Sequence, residues 1–158
     1  HFGARRVIAI DPNAKRRQTA LQMGADEALD PTAAPPVQTV RDLTHGELAD
    51  VVFEYTGSPD GVRNTFAMVG ALGDVRWCAT PGQPMEFDFG AWRKSRPTIY
   101  NIHGRRLWDT WEVAAPLVYE NHIDLQPIAS HEIPLADSPR AFELILAGEA
   151  IKPLILCE

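Results

Sequence analysis

The stretch "RRVIAIDPNAKRRQTALQMG", residues 5–24, decides the fold reading. Val7 to Ile10 are apolar with no alternation, the pattern of a parallel strand covered on both faces. Asp11 ends the run, and Asn13 stands where a helix N-cap belongs. Ala14, Ala20, Leu21 and Met23 fall toward one side, and Gly24 is placed to close the helix. A strand, an acid and a helix of about three turns are therefore expected in succession.

The pattern recurs along the chain. "EALD" (27–30) reads as a strand, "PPVQTVRDLT" (35–44) as a helix with prolines at its entry, and "DVVFEY" (50–55) as a strand running into the loop "TGSPDG". "VRNTFAMVGAL" (62–72) reads as a helix, "DVRWCA" (74–79) and "PTIYNIHG" (97–104) as strands. Further on, "LWDTWEVAAPLVYENH" (107–122) is a helix with Trp108, Trp111 and Ala115 on one stripe, and "HEIPL" (131–135) is extended. "DSPRAFELILAGE" (137–149) is a helix capped by Asp137 and closed by Gly148, and "IKPLILC" (151–157) is a last strand. Such alternation predicts an α/β fold, a doubly wound parallel sheet.

Composition narrows the partners. A chain of 158 residues with 45 % hydrophobic content suits one compact domain, burying roughly 70 % of its unfolded surface. No apolar run approaches the ~20 residues of a membrane span, and "HFGARR" lacks the pattern of a secretory signal. Cys78 and Cys157 show neither metal-ligand nor disulfide spacing, so reduced thiols and a cytoplasmic location are expected. A formal net charge of -6 argues against a nucleic-acid binder, which needs a basic face. What remains is a small-molecule ligand, with no nucleic acid and no membrane.

Asp11 has two readings. In doubly wound folds that bind dinucleotides, an acid after the second strand accepts hydrogen bonds from the adenosine ribose and repels a 2′-phosphate, which favours NAD over NADP. Arg16, one helical turn on, would then meet adenine, a ribose oxygen or a phosphate. Alternatively Asp11 merely ends a strand, and Lys15, Arg16 and Arg17 form a solvated helix face. The glycine-rich turn expected about 20 residues before such an acid is not among the ten residues that precede Asp11. "HFGA" reads instead as the end of the helix that follows such a turn, so the doubly wound sheet is expected to lack its first strand. Because that strand is central, its loss should make an isolated chain hard to keep folded.

At this point the sequence resembles the zinc-type medium-chain dehydrogenases, in particular their L-threonine 3-dehydrogenase and polyol dehydrogenase branch. The resemblance is carried by "HFGARRVIAID", "GADEALDP" (24–31), "LTHGELADVVFEYTGSPDGV" (43–62), "GRRLWDTW" (104–111) and "HIDLQPIASHEIPLADSPRAFELILAGEAIKPLIL" (122–156), in family order. It implies that residues 1–158 are a partial NAD-binding Rossmann domain plus the family's C-terminal segment, without the N-terminal zinc catalytic domain. It makes Asp11 the ribose acid and Arg16 its basic neighbour. Thr56 and Gly57 would flank adenine and ribose, Cys78, Ala79 and Thr80 would lie along the nicotinamide, and Ile102 and His103 would stand across its amide. For His103 a packed histidine beside Trp108 is the other reading, and Trp108 and Trp111 read as packing.

The same resemblance implies an oxidoreductase that passes hydride from a secondary alcohol, L-threonine-like or a polyol, to NAD. Zinc is expected only in the N-terminal domain, held there by Cys, His and an acid as a Lewis acid, so no catalytic residue is assigned here. His45, His122 and His131 are too scattered to be metal ligands. A homodimer or homotetramer is implied, pairing along the strand around Pro97 to His103. The family has glycine where Ala79 stands, and it differs again at "LGD" (72–74), near Asn101 and at "IKP" (151–153). Two other classes stay open: a stand-alone or partner-completed nucleotide module without catalysis, and an S-adenosylmethionine-dependent methyltransferase, which also uses an acid after its second strand. Against the methyltransferase, no acid-aromatic or Asn-Pro-Pro loop follows Tyr55.

Overall fold

The structure, a computed structural model, describes residues 3–104, 106–120 and 122–157, with residue 91 as backbone only. His1 and Phe2 of the expected helix end, Arg105 of "GRRLWDTW" and Asn121 of the expected helix 107–122 lie outside the described residues. In chain order the elements are β1 (Ile8–Ile10), α1 (Ala14–Gln22), β2 (Glu27–Leu29), α2 (Pro36–Leu43), β3 (Ala49–Glu54) and α3 (Pro59–Met68). They continue with β4 (Val69–Trp77), α4 (Phe89–Ser95), β5 (Thr98–Asn101), α5 (Leu107–Tyr119), β6 (Ala129–Pro134), α6 (Ser138–Leu146) and β7 (Lys152–Leu156). Strand and helix alternate as expected, and every described strand pair is parallel: β1 with β2, β3 with β4 with β5, and β6 with β7. The fold is Rossmann-like α/β.

The chain divides into two compact units, His1–Ala33 with Leu107–Glu158, and Ala34–Arg106. In the first, local signals act as expected. Asn13 accepts the Lys15 and Arg16 amides at 2.9 and 3.2 Å, and Gly24 and Gly148 close their helices at φ +99° and +71°. Asp137 departs from expectation. A 3₁₀ turn, Leu135–Asp137, leads into α6, and the Asp137 side chain makes no capping bond.

In the second unit, Val62, Phe66, Val69 and Val75 form a buried cluster, flanked by half-buried Val52, Trp77, Met85, Phe87 and Trp92. Val52 pairs with Val75 and Glu54 with Trp77, so these four share one face of the sheet. That face is the covered one. On the opposite face Val51 and Phe53 are 45 % and 58 % exposed, and Arg76 lies 3.6 Å from the Tyr100 ring centre. The run at 50–55 is thus covered on one face of β3 only, where α3 and α4 pack. In the first unit β1 is only half-buried.

Three other expectations need correction. The helix expected over 62–72 stops at Met68, and β4 begins at Val69. Gly70 and Gly73 account for this. A step of two residues along β3, Ala49 to Val51, faces a step of five along β4, Val69 to Asp74. The surplus bulges outward through Leu72, at φ +61° and 66 % exposed. A Cβ on Gly70 or Gly73 would stand 2.7 Å from the Glu47 carbonyl oxygen or 2.8 Å from that of Asp50. α4 has no counterpart in the sequence reading, since seven residues are too few to display a helical period. Trp108 and Trp111 are 72 % and 56 % exposed, and α5 buries none of its residues, so neither is part of a buried core.

Val75 is fully buried in the middle strand. Val75→Ala should lower stability by about 2 kcal/mol, from lost burial plus the cavity left behind. Leu146→Ala, at an 88 % exposed position, should stay within about 0.5 kcal/mol of wild type. Urea unfolding of both variants checks the pair, and equal losses would contradict the assigned core.

Candidate functional site

All nine residues singled out from the sequence follow the carboxyl ends of parallel strands, where open α/β sheets bind ligands. They fall into two groups, one in each unit.

In the first unit Asp11 follows β1. Its Oδ1 accepts the Asn13 amide at 2.7 Å, and its Oδ2 lies 3.7 Å from Arg16 Nη1. The Asp11 side chain keeps 29 % of its surface and that of Arg16 46 %. So long and exposed an ion pair adds little stability, and Oδ2 stays open to further donors. Arg17, which the sequence places only on a solvated face, does more. Its Nη1 donates to the Asp11 and Pro12 carbonyls at 2.7 and 2.8 Å, and its Nη2 meets Asp30 at 2.9 Å. One guanidinium thus ties the end of β1 to the end of β2. The Asp30 carboxyl is held below the ordinary aspartate value, first by the Thr32 hydroxyl at 2.6 Å, then by the Thr32 amide, with Arg17 adding a smaller pull. On the far side, Asn13 Nδ2 donates to the Gly148 carbonyl at 2.7 Å.

In the second unit the ladder continues past the strands. Cys78 N donates to the Glu54 carbonyl at 2.9 Å and Ile102 N to the Trp77 carbonyl at 2.8 Å. These bonds bring the starts of three loops side by side: Thr56–Gly57 after β3, Cys78–Thr80 after β4, and Ile102–His103 after β5. Gly57 is at φ +61°, and a Cβ there would stand 2.9 Å from the Thr80 carbonyl oxygen and 3.5 Å from the Ala79 methyl. The 3.5 Å to the Ala79 methyl is an ordinary contact, so it is the Thr80 carbonyl oxygen that leaves no room for a side chain at residue 57. Ile102 and His103 are exposed, which sets aside a packed His103. Tyr55, largely exposed, has its hydroxyl pKa raised, first by partial burial and then by a hydrogen bond with Cys78.

Glu54 is a residue that sequence reasoning misses. It is 2 % exposed, and its Oε1 accepts from the Thr56 amide at 2.8 Å, the Thr56 hydroxyl at 2.6 Å and the Gly57 amide at 3.1 Å. A single acid inside the apolar run "VVFEY" is the signal that could have found it.

Two fits follow from these contacts. In the first unit an open carboxylate oxygen beside a cation suits a ribose diol, and in the second, taken by itself, the close approach of Gly57 to Thr80 suits a flat group lying on backbone. His122 pairs with Glu120 at 3.2 Å and His131 with Ser130 at 3.0 Å. Among the described residues no three His, Cys, Asp or Glu side chains gather as a metal requires. Nor is any described helix long and apolar enough to cross a membrane.

Residues 1–120 match the family described as zinc-binding dehydrogenase. The chain is 34 % identical over 155 residues to an L-threonine 3-dehydrogenase of Bacillus subtilis, covering 98 % of this chain and 45 % of that protein. It is 35 % identical over 156 residues to the L-threonine 3-dehydrogenase of Symbiobacterium thermophilum, covering 98 % and 44 %. Among solved structures, the alcohol dehydrogenase of Thermus sp. ATN1 superposes with TM-score 0.89 at 26 % identity, over 98 % of this chain and 45 % of that one. The 2R,3R-butanediol dehydrogenase of Bacillus subtilis shares the fold with TM-score 0.88 at 23 % identity, over 99 % and 45 %. The chain thus spans less than half the length of the relatives it matches.

Two tests follow from the site's geometry. Gly57→Ala should cost about 1–3 kcal/mol, since a left-handed backbone and a backbone collision both oppose the new methyl; unchanged urea stability would show that the turn does not press on Thr80. Because the folded pKa of Asp30 is depressed, its contribution to stability is present above the ordinary aspartate value and fades as pH falls through the lower one. Thr32→Val removes the largest cause, so the Asp30 carboxyl titration followed by NMR should move up in pH.

Proposed function

Since the chain belongs to the zinc-binding dehydrogenase family, we propose that it is the nucleotide-binding part of an NAD-dependent dehydrogenase acting on a secondary alcohol, with L-threonine or a polyol as the substrate class. The observation that carries this is Asp11: a part-exposed carboxylate at a strand's carboxyl end, one oxygen occupied by its own turn and the other open beside Arg16.

NAD, when bound, supplies the hydride acceptor. The chain's own residues bind and orient it. Asp11 accepts from the adenosine ribose hydroxyls, at about 1.5–3 kcal/mol for a bond to a charged acceptor. The same charge opposes a 2′-phosphate. Two unit charges about 4 Å apart repel by roughly 1 kcal/mol in bulk water and roughly 4 kcal/mol near a protein surface. Both effects favour NAD over NADP. Arg16 serves the adenosine end, Thr56 and Gly57 flank adenine and ribose, and the Cys78–Thr80 and Ile102–His103 segments receive the nicotinamide amide. No residue of this chain is assigned to proton transfer or to a metal.

Assembly of the complete enzyme as a homodimer or homotetramer belongs to the same proposal. It is supported by β5, whose four residues are all exposed and which stands at the edge of its sheet. The cytoplasm is the proposed location.

Asp11→Ala, measured in the full chain as encoded, should weaken NAD binding about ten- to a hundredfold, the loss of one charged hydrogen bond, while NADP binding holds or improves. Calorimetric titration with both nucleotides reads this. An NAD affinity unchanged by the substitution would remove the central assignment.

A further inference from the structure

We infer that Glu54 is a positioning residue, whose buried carboxylate orders the Thr56–Gly57 turn against Ala79–Thr80 and so presets two nucleotide-facing segments at once. The inference rests on the nucleotide reading given above.

Glu54 is the last residue of β3 and one of two buried polar residues among those described. A carboxylate taken out of water is unfavourable unless its charge is met. No cation meets it here: none of the ion pairs among the described residues includes Glu54. The compensation comes from the turn itself. Oε1 takes both successive amides, Thr56 and Gly57, together with the Thr56 hydroxyl, and Oε2 lies 3.4 Å from the Gly57 amide.

The geometry is directional. Two amides aimed at one oxygen constrain the backbone between them, and Gly57 is held at φ +61°. In that conformation Gly57 sits against the Thr80 carbonyl, and the Glu54 carbonyl receives the Cys78 amide. One residue therefore grips the loop after β3 with its side chain and the loop after β4 with its main chain. The Thr56 hydroxyl, having donated to Glu54, accepts the Ser58 amide at 3.0 Å and leads into α3. A Cβ at Gly61 would collide with that hydroxyl, so the helix is seated on the same knot. A residue that only filled space would have no reason to carry a charge there.

The test uses the full chain as encoded, with NAD as the probe. Glu54→Gln keeps the shape but places an amide donor near the Gly57 amide. It should raise the NAD Kd about five- to tenfold, on the scale of one ordinary net hydrogen bond. Hydrogen exchange at the Thr56 and Gly57 amides should quicken, while the Val75 and Cys78 amides of the ladder keep their protection. Glu54→Asp, which withdraws the carboxylate by one methylene, should behave alike. Should Glu54→Ala fail to fold, the Gln and Asp variants decide. A folded Gln variant that binds NAD within twofold of wild type overturns the inference and leaves the nucleotide reading standing. A uniform rise in exchange over β3 and β4 with affinity unchanged, the mark of a purely structural role, overturns it equally. If the wild-type chain binds no NAD while its Thr56 and Gly57 amides remain protected, the nucleotide reading itself fails and the inference goes with it.

Discussion

Cys78 N to Glu54 O at 2.9 Å and Ile102 N to Trp77 O at 2.8 Å are ordinary ladder bonds, except that they lie just past the ends of their strands. Parallel strands point all their carboxyl ends one way, so extending the ladder by one rung brings three loop starts into line. The left-handed Gly57, the close approach to Thr80 and the multiple grip of Glu54 are all arranged around that rung. In the first unit the corresponding constraint is a side chain: Arg17 holds the carbonyls after β1 and the carboxylate after β2 with one planar guanidinium, a geometry an ammonium could not reproduce.

Charge placement at the two groups differs in kind. Asp11 is left open, with one oxygen committed to its own turn and a cation nearby at a distance too long to neutralise it. Glu54 is closed, with both oxygens near turn donors and almost no surface. An open carboxylate is available to a ligand, whereas a closed one shapes what the ligand meets.

What can be read from sequence is whatever depends on neighbours along the chain. Asn13, Gly24 and Gly148 act through amides and carbonyls within a few residues, and the strand and helix alternation follows from runs of local polarity. That Asp11 follows a strand and Arg16 stands one turn on is legible from residue type and position. Arg17 is not distinguishable from Arg16, because which arginine turns back depends on Asp30 after the next strand. Nor can Glu54's role be read, since its partners are set by a turn whose conformation the sequence alone does not reveal. The helix expected past Met68 fails for a related reason: Gly70 and Gly73 are needed where backbone from the preceding segment comes closer than van der Waals contact to their missing side chains. The exposed Trp108 and Trp111 show that helical spacing identifies a stripe without saying what covers it.

The bond from Asn13 to the Gly148 carbonyl spans 135 positions, and Lys15 Nζ reaches the Glu149 carbonyl at 3.5 Å beside it. The unit that holds Asp11 is therefore discontinuous, interrupted by residues 34–106. During synthesis residues 34–106 are all made before Gly148 and Glu149, so the bonds from Asn13 and Lys15 can close only after the inserted unit has its full sequence. Contacts so distant in sequence carry the largest loop-closure cost and form late. Asn13 and Lys15 are thus made early and find these partners late, whereas the ladder bonds past β3 and β4 join residues of one continuous segment.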